Sequence, residues 1–109
     1  MATTYKVLGQ SAPSATTATT LYTVPAATQT VVSTIAIANR AATADSYRIA
    51  VRPAGATLAN EHYIAYDVTI NANDTTVITI GLTLDATDVI TVYAGTADLS
   101  FGVFGSEIA

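Results

Sequence analysis

Alternation of apolar and polar side chains constrains this chain more than any other feature of its sequence. Over Asp45–Pro53, Tyr47, Ile49 and Val51 point one way, while Ser46, Arg48, Ala50 and Arg52 point the other. From His62 the alternation resumes, with Ile64, Tyr66, Val68 and Ile70 on one face and Tyr63, Ala65, Asp67 and Thr69 on the other. A period of two is that of a half-buried strand. Between the two runs Pro53 ends the first strand, because proline cannot donate to a ladder, and Gly55 lets the chain turn. Two non-local strands with a decorated loop between them therefore anchor the fold.

The rest of the chain repeats the same unit at intervals of about ten residues. Thr4–Leu8 is a short strand closed by Gly9. Residues 11–20, SAPSATTATT, form a Ser/Ala/Thr tract with no aliphatic side chain larger than alanine, which reads as an extended arm. Leu21–Pro25 is a strand stopped by proline. In Thr30–Asn39, Val31, Ile35 and Ile37 share a face with Ser33, and Thr30, Val32, Thr34, Ala36 and Ala38 occupy the other. Asn71–Asp74, Leu84–Asp88 and Gly95–Asp98 are turns by composition, since Asn and Asp bond their own backbone and tolerate left-handed geometry. They bound strands at Asp74–Ile80, closed by Gly81, at Val89–Tyr93 and at Leu99–Ser106. Ala56–Glu61 has room for one helical turn at most.

Seven or eight strands with no helix predict an all-β fold, an antiparallel β-sandwich. Eight strands favour a jelly-roll-like arrangement and seven an immunoglobulin-like one. The reading adopted is the jelly roll, with residues 1–20 as a short strand and arm and 21–109 as the sandwich domain. The expected core is Tyr47, Ile49, Val51, Ile64, Val68, Leu99, Phe101 and Val103.

Charge narrows the function classes. The chain has four Lys and Arg against eight Asp and Glu, a formal net charge of −4. Nucleic acid and anionic membrane surfaces both require clustered cations, so neither is an expected partner. No secretory signal is visible in MATTYKVLGQ, and no apolar run approaches the ~18 residues of a spanning helix. There is no cysteine.

Residues able to do chemistry are few. His62 is the sole histidine and stands beside Glu61, with no cysteine and no serine in a G-x-S-x-G setting to activate, so it reads as a loop residue bonding its neighbours. Asp85, Asp88 and Asp98 flank the last two strands in a spacing that matches no calcium loop. Asp67 and Glu61 lack the setting of a glycosidase pair in a chain without tryptophan. No catalytic residue, cofactor or metal is expected.

Binding surfaces are better represented. Arg48 and Arg52 share one strand face roughly 13 Å apart. With so few cations in the chain, they suggest specific carboxylate pairing, within the domain or across an interface. Ala36 and Ala38 offer a small-residue surface that lets another layer approach closely. The adjacent pairs Val31–Val32, Val77–Ile78 and Val89–Ile90 make strands apolar on both faces, whereas a two-layer sandwich covers only one face of each sheet. Arg48, Arg52, Ala36, Ala38, Glu61 and His62 are accordingly the candidate interface residues.

Several stretches resemble small virion structural proteins of tailed bacteriophages. They are LYTVP at Leu21–Pro25, VSTIAIANR at Val32–Arg40, YRIAVRPAG at Tyr47–Gly55, NEHYIAYD at Asn60–Asp67, TDVITVYAG at Thr87–Gly95 and LSFGVFGSE at Leu99–Glu107. The resemblance implies a non-enzymatic subunit on the virion, made in the host cytoplasm. It would be of the capsid cement or decoration type, a homotrimer bound to the major capsid protein. A tail or baseplate protein and a carbohydrate-binding module for host attachment are the alternatives. Exposed tyrosines among Tyr63, Tyr66 and Tyr93 would favour the last.

Overall fold

A computed structural model describes residues 2–109. Eight strands follow one another: β1 (Thr3–Ser11), β2 (Thr19–Thr23), β3 (Gln29–Asn39), β4 (Asp45–Arg52), β5 (Tyr63–Ile70), β6 (Thr75–Leu84), β7 (Val89–Ala94) and β8 (Leu99–Ile108). Short 3₁₀ turns at Pro53–Gly55 and Asn60–His62 lie in the connection from β4 to β5. All strand pairs are antiparallel, in two sheets ordered β1-β8-β3-β6 and β2-β7-β4-β5.

That order is the jelly roll. β1 pairs with β8, β2 with β7, β3 with β6 and β4 with β5, so the chain is one long ribbon doubled back between β4 and β5. Rolling the ribbon brings β8 beside β3 and β7 beside β4, which closes the two sheets. The core lies between them. Val32, Ile35 and Ile37 of β3 and Leu99, Phe101 and Val103 of β8 face Tyr47 and Ile49 of β4 and Ile90, Val92 and Ala94 of β7. Tyr47 and Phe101 meet edge to face across the gap, with ring centroids 6.4 Å apart.

Five of the eight expected core residues, Tyr47, Ile49, Leu99, Phe101 and Val103, are buried, and Val51 packs against the core partly buried. Ile64 and Val68 are not core: they are 44% and 39% exposed. Val68 keeps the inward face, opposite Tyr47, but is open to solvent because β5 is an edge strand, while Ile64 leaves the core through irregularity in β5. Tyr47 pairs with Val68 but Ile49 pairs with Ala65, so two residues of β5 oppose Arg48 alone. Such a bulge reverses the parity of the strand. Ala65 and Ile70 therefore both reach the core although five positions separate them.

The faces of β3 change for the same reason. Thr30 and Val32 point inward, and so do Ile35 and Ile37, which an unbroken strand forbids. Ser33 is the extra residue: Val32 pairs with Gly105 and Thr34 with Phe104, and Ser33 Oγ donates to the Phe104 carbonyl at 3.1 Å. Val31, Thr34, Ala36 and Ala38 consequently form the outward row, not the expected grouping of Val31 with Ile35 and Ile37.

Gly9 and Gly81 lie inside β1 and β6 and do not end them. A Cβ on Gly9 would overlap the Leu21 carbonyl, so its absence lets β1 cross closely over β2. Residues 12–18 are the loop joining β1 to β2, and Thr16 N donates to the Ala94 carbonyl at 2.8 Å.

Polar side chains fix the connections. Buried Asn39 donates from Nδ2 to the carbonyls of Thr43 and Asn71 and accepts from Ala41 N, tying the loop after β3 to the turn after β5. Asp45 accepts from the hydroxyl and amide of Thr96. Asp88 accepts from the amides of Ala54 and Asp85. These carboxylates act as turn braces.

Candidate functional site

The bulge in β5 builds the most organised surface of the molecule, on the outer face of the β2-β7-β4-β5 sheet. Because Tyr66 and Asp67 together oppose Arg48, both side chains reach it. Asp67 adopts a left-handed φ of 51°, a conformation that aspartate tolerates better than most residues. Its Oδ1 accepts from Arg48 Nε at 2.7 Å. On the other flank, Tyr93 of β7 is Arg48's direct cross-strand partner. The guanidinium carbon lies 4.2 Å from the ring centroids of both Tyr66 and Tyr93. Tyr63 meets Tyr66 edge to face at 4.9 Å.

Arg48 is thus held between two rings and pinned by a carboxylate, cation–π contacts adding to a charge-assisted hydrogen bond. The Asp67 hydrogen bond holds the Arg48 guanidinium well above its ordinary pKa, so it is charged at every relevant pH. Tyr66 is 55% exposed and leaves an aromatic surface open beside the cluster. Rigid Tyr and Arg side chains fixed before binding are what dominates protein interfaces, since little side-chain entropy is left to lose.

Of the residues singled out in the sequence, Arg48 pairs with a carboxylate of its own domain and Arg52 does not. Arg52 donates to Thr91 Oγ1 at 3.0 Å and to the Ala56 carbonyl at 2.9 Å, which clamps the Pro53–Gly55 turn onto the sheet. His62 accepts at Nδ1 from Ala59 N at 3.0 Å, within its own loop, and Glu61 is exposed beside it. Tyr66 and Asp67 were assigned to opposite faces by the alternation, so sequence reasoning missed their joint contact with Arg48. An aspartate in mid-strand was the available signal.

The outer face of the other sheet differs in kind. Register places Tyr5, Val7 and Gln10 of β1, Ser100, Gly102, Phe104 and Ser106 of β8, Val31, Thr34, Ala36 and Ala38 of β3, and Thr75, Val77 and Thr79 of β6 on it. None is charged. Lys6 and Glu107, the charged residues of these strands, lie on the inward side, where Lys6 Nζ contacts Glu107 Oε1 at 3.0 Å. Tyr5 and Val77 are 84% and 60% exposed. Gln10, Ala36, Ala38, Ser100, Gly102 and Phe104 line a shallow depression of about 210 Å³, so Ala36 and Ala38 sit together at the middle of the face.

No nucleophile–base pair converges at either face, and among the described residues no three or more His, Asp and Glu side chains are grouped to hold a metal. The arrangement is suited to binding by shape, aromatic contact and backbone approach. Comparison with protein-family models, with curated proteins and with solved structures finds no match.

Proposed function

We propose that the protein is a non-enzymatic structural subunit of a tailed-phage virion, a capsid cement or decoration protein. It self-associates as a homotrimer and strengthens the outer shell by bridging coat subunits. The observation that carries this reading is the uncharged outer face of the β1-β8-β3-β6 sheet. A chain with eight acidic and four basic residues places every one of them elsewhere. Four strands about 4.8 Å apart and some eight residues long present on the order of 500 Å², so pairing this face with a neighbour buries about 1,000 Å² in total, the threshold of a specific interface. The Arg48 cluster supplies a second contact on the opposite side of the sandwich. Two opposed faces suit a subunit held between neighbours, and linked contacts gain affinity from effective concentration. The resemblance in the sequence supplies the virion context, and a tail or baseplate position would use the same two faces.

One observation favours a second reading, glycan binding for host attachment: Tyr66 is prominent on an open face beside Asp67. One side of the Tyr66 ring and one side of the Tyr93 ring are already taken by Arg48, which leaves less aromatic surface for a sugar.

The test is co-sedimentation of the purified protein with phage particles lacking it, followed by the temperature at which the particles release DNA. Saturable binding and a raised release temperature are expected, since a ligand of the assembled state stabilises it by mass action. Arg48→Ala or Ala36→Glu should weaken binding at least tenfold. No binding, together with absence of the protein from purified virions by mass spectrometry, would overturn the proposal.

A further inference from the structure

Each sheet has two edge strands, and three of the four carry devices that discourage pairing with another chain. β1 holds Lys6 and a register break between Val7 and Gly9. β2 is five residues long, breaks register between Thr20 and Tyr22, and is followed by Pro25. β5 has two register breaks and the left-handed Asp67. β6 differs: its one register break, at Ile80–Gly81 opposite Ser33, lies outside the Thr75–Thr79 run, and it has no left-handed residue. Its ten residues, TTVITIGLTL, include no charge and no proline, and Thr75–Thr79 runs in unbroken register with Thr34–Ala38 of β3. An edge with its backbone donors and acceptors open and unguarded is a template for another strand. Ile78 and Ile80, on the inward side, are only half-buried and would be covered by such a strand.

We infer that β6 pairs with β6 of a second copy, antiparallel about a two-fold axis at Val77, joining two four-stranded sheets into one of eight. The occupant follows from the sequence of the edge itself. With the axis at Val77, Val77 meets its own copy, Thr75 meets Thr79 and Thr76 meets Ile78. Threonine lies against threonine on the outer row and a β-branched pair on the inner one, both favourable cross-strand combinations. Asp74, the nearest charge, falls opposite Ile80, so no like charges are opposed. The contact goes beyond the trimer of the proposed function: three copies about a three-fold axis leave three such edges, and a two-fold contact links one trimer to the next.

Because the chain has no cysteine, single-cysteine variants test the register. Directly opposed Cα atoms in an antiparallel pair lie about 4.5–5.5 Å apart, within disulfide range. On mild oxidation Val77→Cys should form a covalent dimer within minutes. Thr75→Cys and Thr79→Cys should each stay uncrosslinked alone and crosslink when mixed. Ala72→Cys, in an exposed turn, measures random collision. Val77→Lys and Val77→Asp, each with its β-sheet circular dichroism intact, should lose the contact singly and regain it when mixed. Equal slow crosslinking of all the cysteine variants, or a stable trimer in which Val77→Cys forms no disulfide, overturns the edge pairing. The trimer result would leave the proposed function standing. A monomer at micromolar concentration by light scattering overturns the edge pairing and the homotrimer, and the co-sedimentation test then decides the virion role alone.

Discussion

At Tyr22 a polar group is set where the two sheets meet. Its hydroxyl donates to Glu107 Oε2 at 2.5 Å and lies 2.8 Å from Thr30 Oγ1, and Glu107 in turn contacts Lys6. Burial, and then the Glu107 hydrogen bond, push the Tyr22 pKa up from 10.0 to about 12. The Tyr22 hydrogen bond, and then Lys6, hold Glu107 below its ordinary 4.5. The signs give two limits. Glu107 contributes stability that is present above its unfolded value and lost as pH falls through its lower folded one. Tyr22 contributes stability that is full below pH 10 and lost as pH rises from 10 toward about 12. In urea titrations across pH, Tyr22→Phe is expected to cost about 1–3 kcal/mol at neutrality by stranding its partners. It should also remove part of the alkaline loss, the remainder staying with Tyr47, whose pKa burial also raises. Thr87 shows another local cost, a β-branched residue at φ 68° in the turn before β7. Thr87→Gly should stabilise the protein by about 0.5–1 kcal/mol, since the left-handed penalty exceeds the entropy that glycine adds. Unchanged thermal unfolding would show that the turn is not strained.

Bulges decide what each strand presents. At the element level the eight strands and their turns were legible, because alternation, proline and Asn/Asp punctuation are local signals. Parity was not. Nothing in TVVSTIAIAN says that Ser33 is an extra residue, since Val31 with Ile35 and Val32 with Ile37 are equally apolar groupings. The cross-strand partners Gly105 and Phe104, some seventy positions away, settle it. A Cβ at Gly105 would overlap the Val31 carbonyl, so the close approach at the bulge depends on that glycine too. The same blindness hid the site: Arg48 was visible as a candidate, while its contacts with both Tyr66 and Asp67 exist only because β5 slips by one residue. Deleting Ser33 is therefore expected to abolish folding, as one half of β3 must turn its core residues outward. Ser33→Ala, which loses one exposed hydrogen bond, should cost no more than about 1.5 kcal/mol. Circular dichroism with denaturant titration separates the two; a deletion variant with native stability would refute the parity argument.

The whole molecule is a thin two-layer slab, 45 × 27 × 19 Å, with one uncharged face and one carrying the Arg48 cluster. Its small core leaves a modest margin of stability, to which the contacts of the proposed assembly would add. A charge on the uncharged face should weaken assembly where a charge in a turn does not. Ala36→Glu is expected to lower association at least tenfold by light scattering or sedimentation, and Ala72→Glu to leave it unchanged. The central claim, that both outer faces are docking surfaces of a virion subunit, is open to one direct measurement: an electron-microscopy map of the intact particle at a resolution that separates strands. The expected result is an eight-stranded sandwich on the outer shell, with Ala36, Ala38 and Val77 against one neighbour and Arg48, Tyr66 and Tyr93 against another. A particle whose shell and tail are fully accounted for by other chains, or a subunit with both faces turned to solvent, would contradict it.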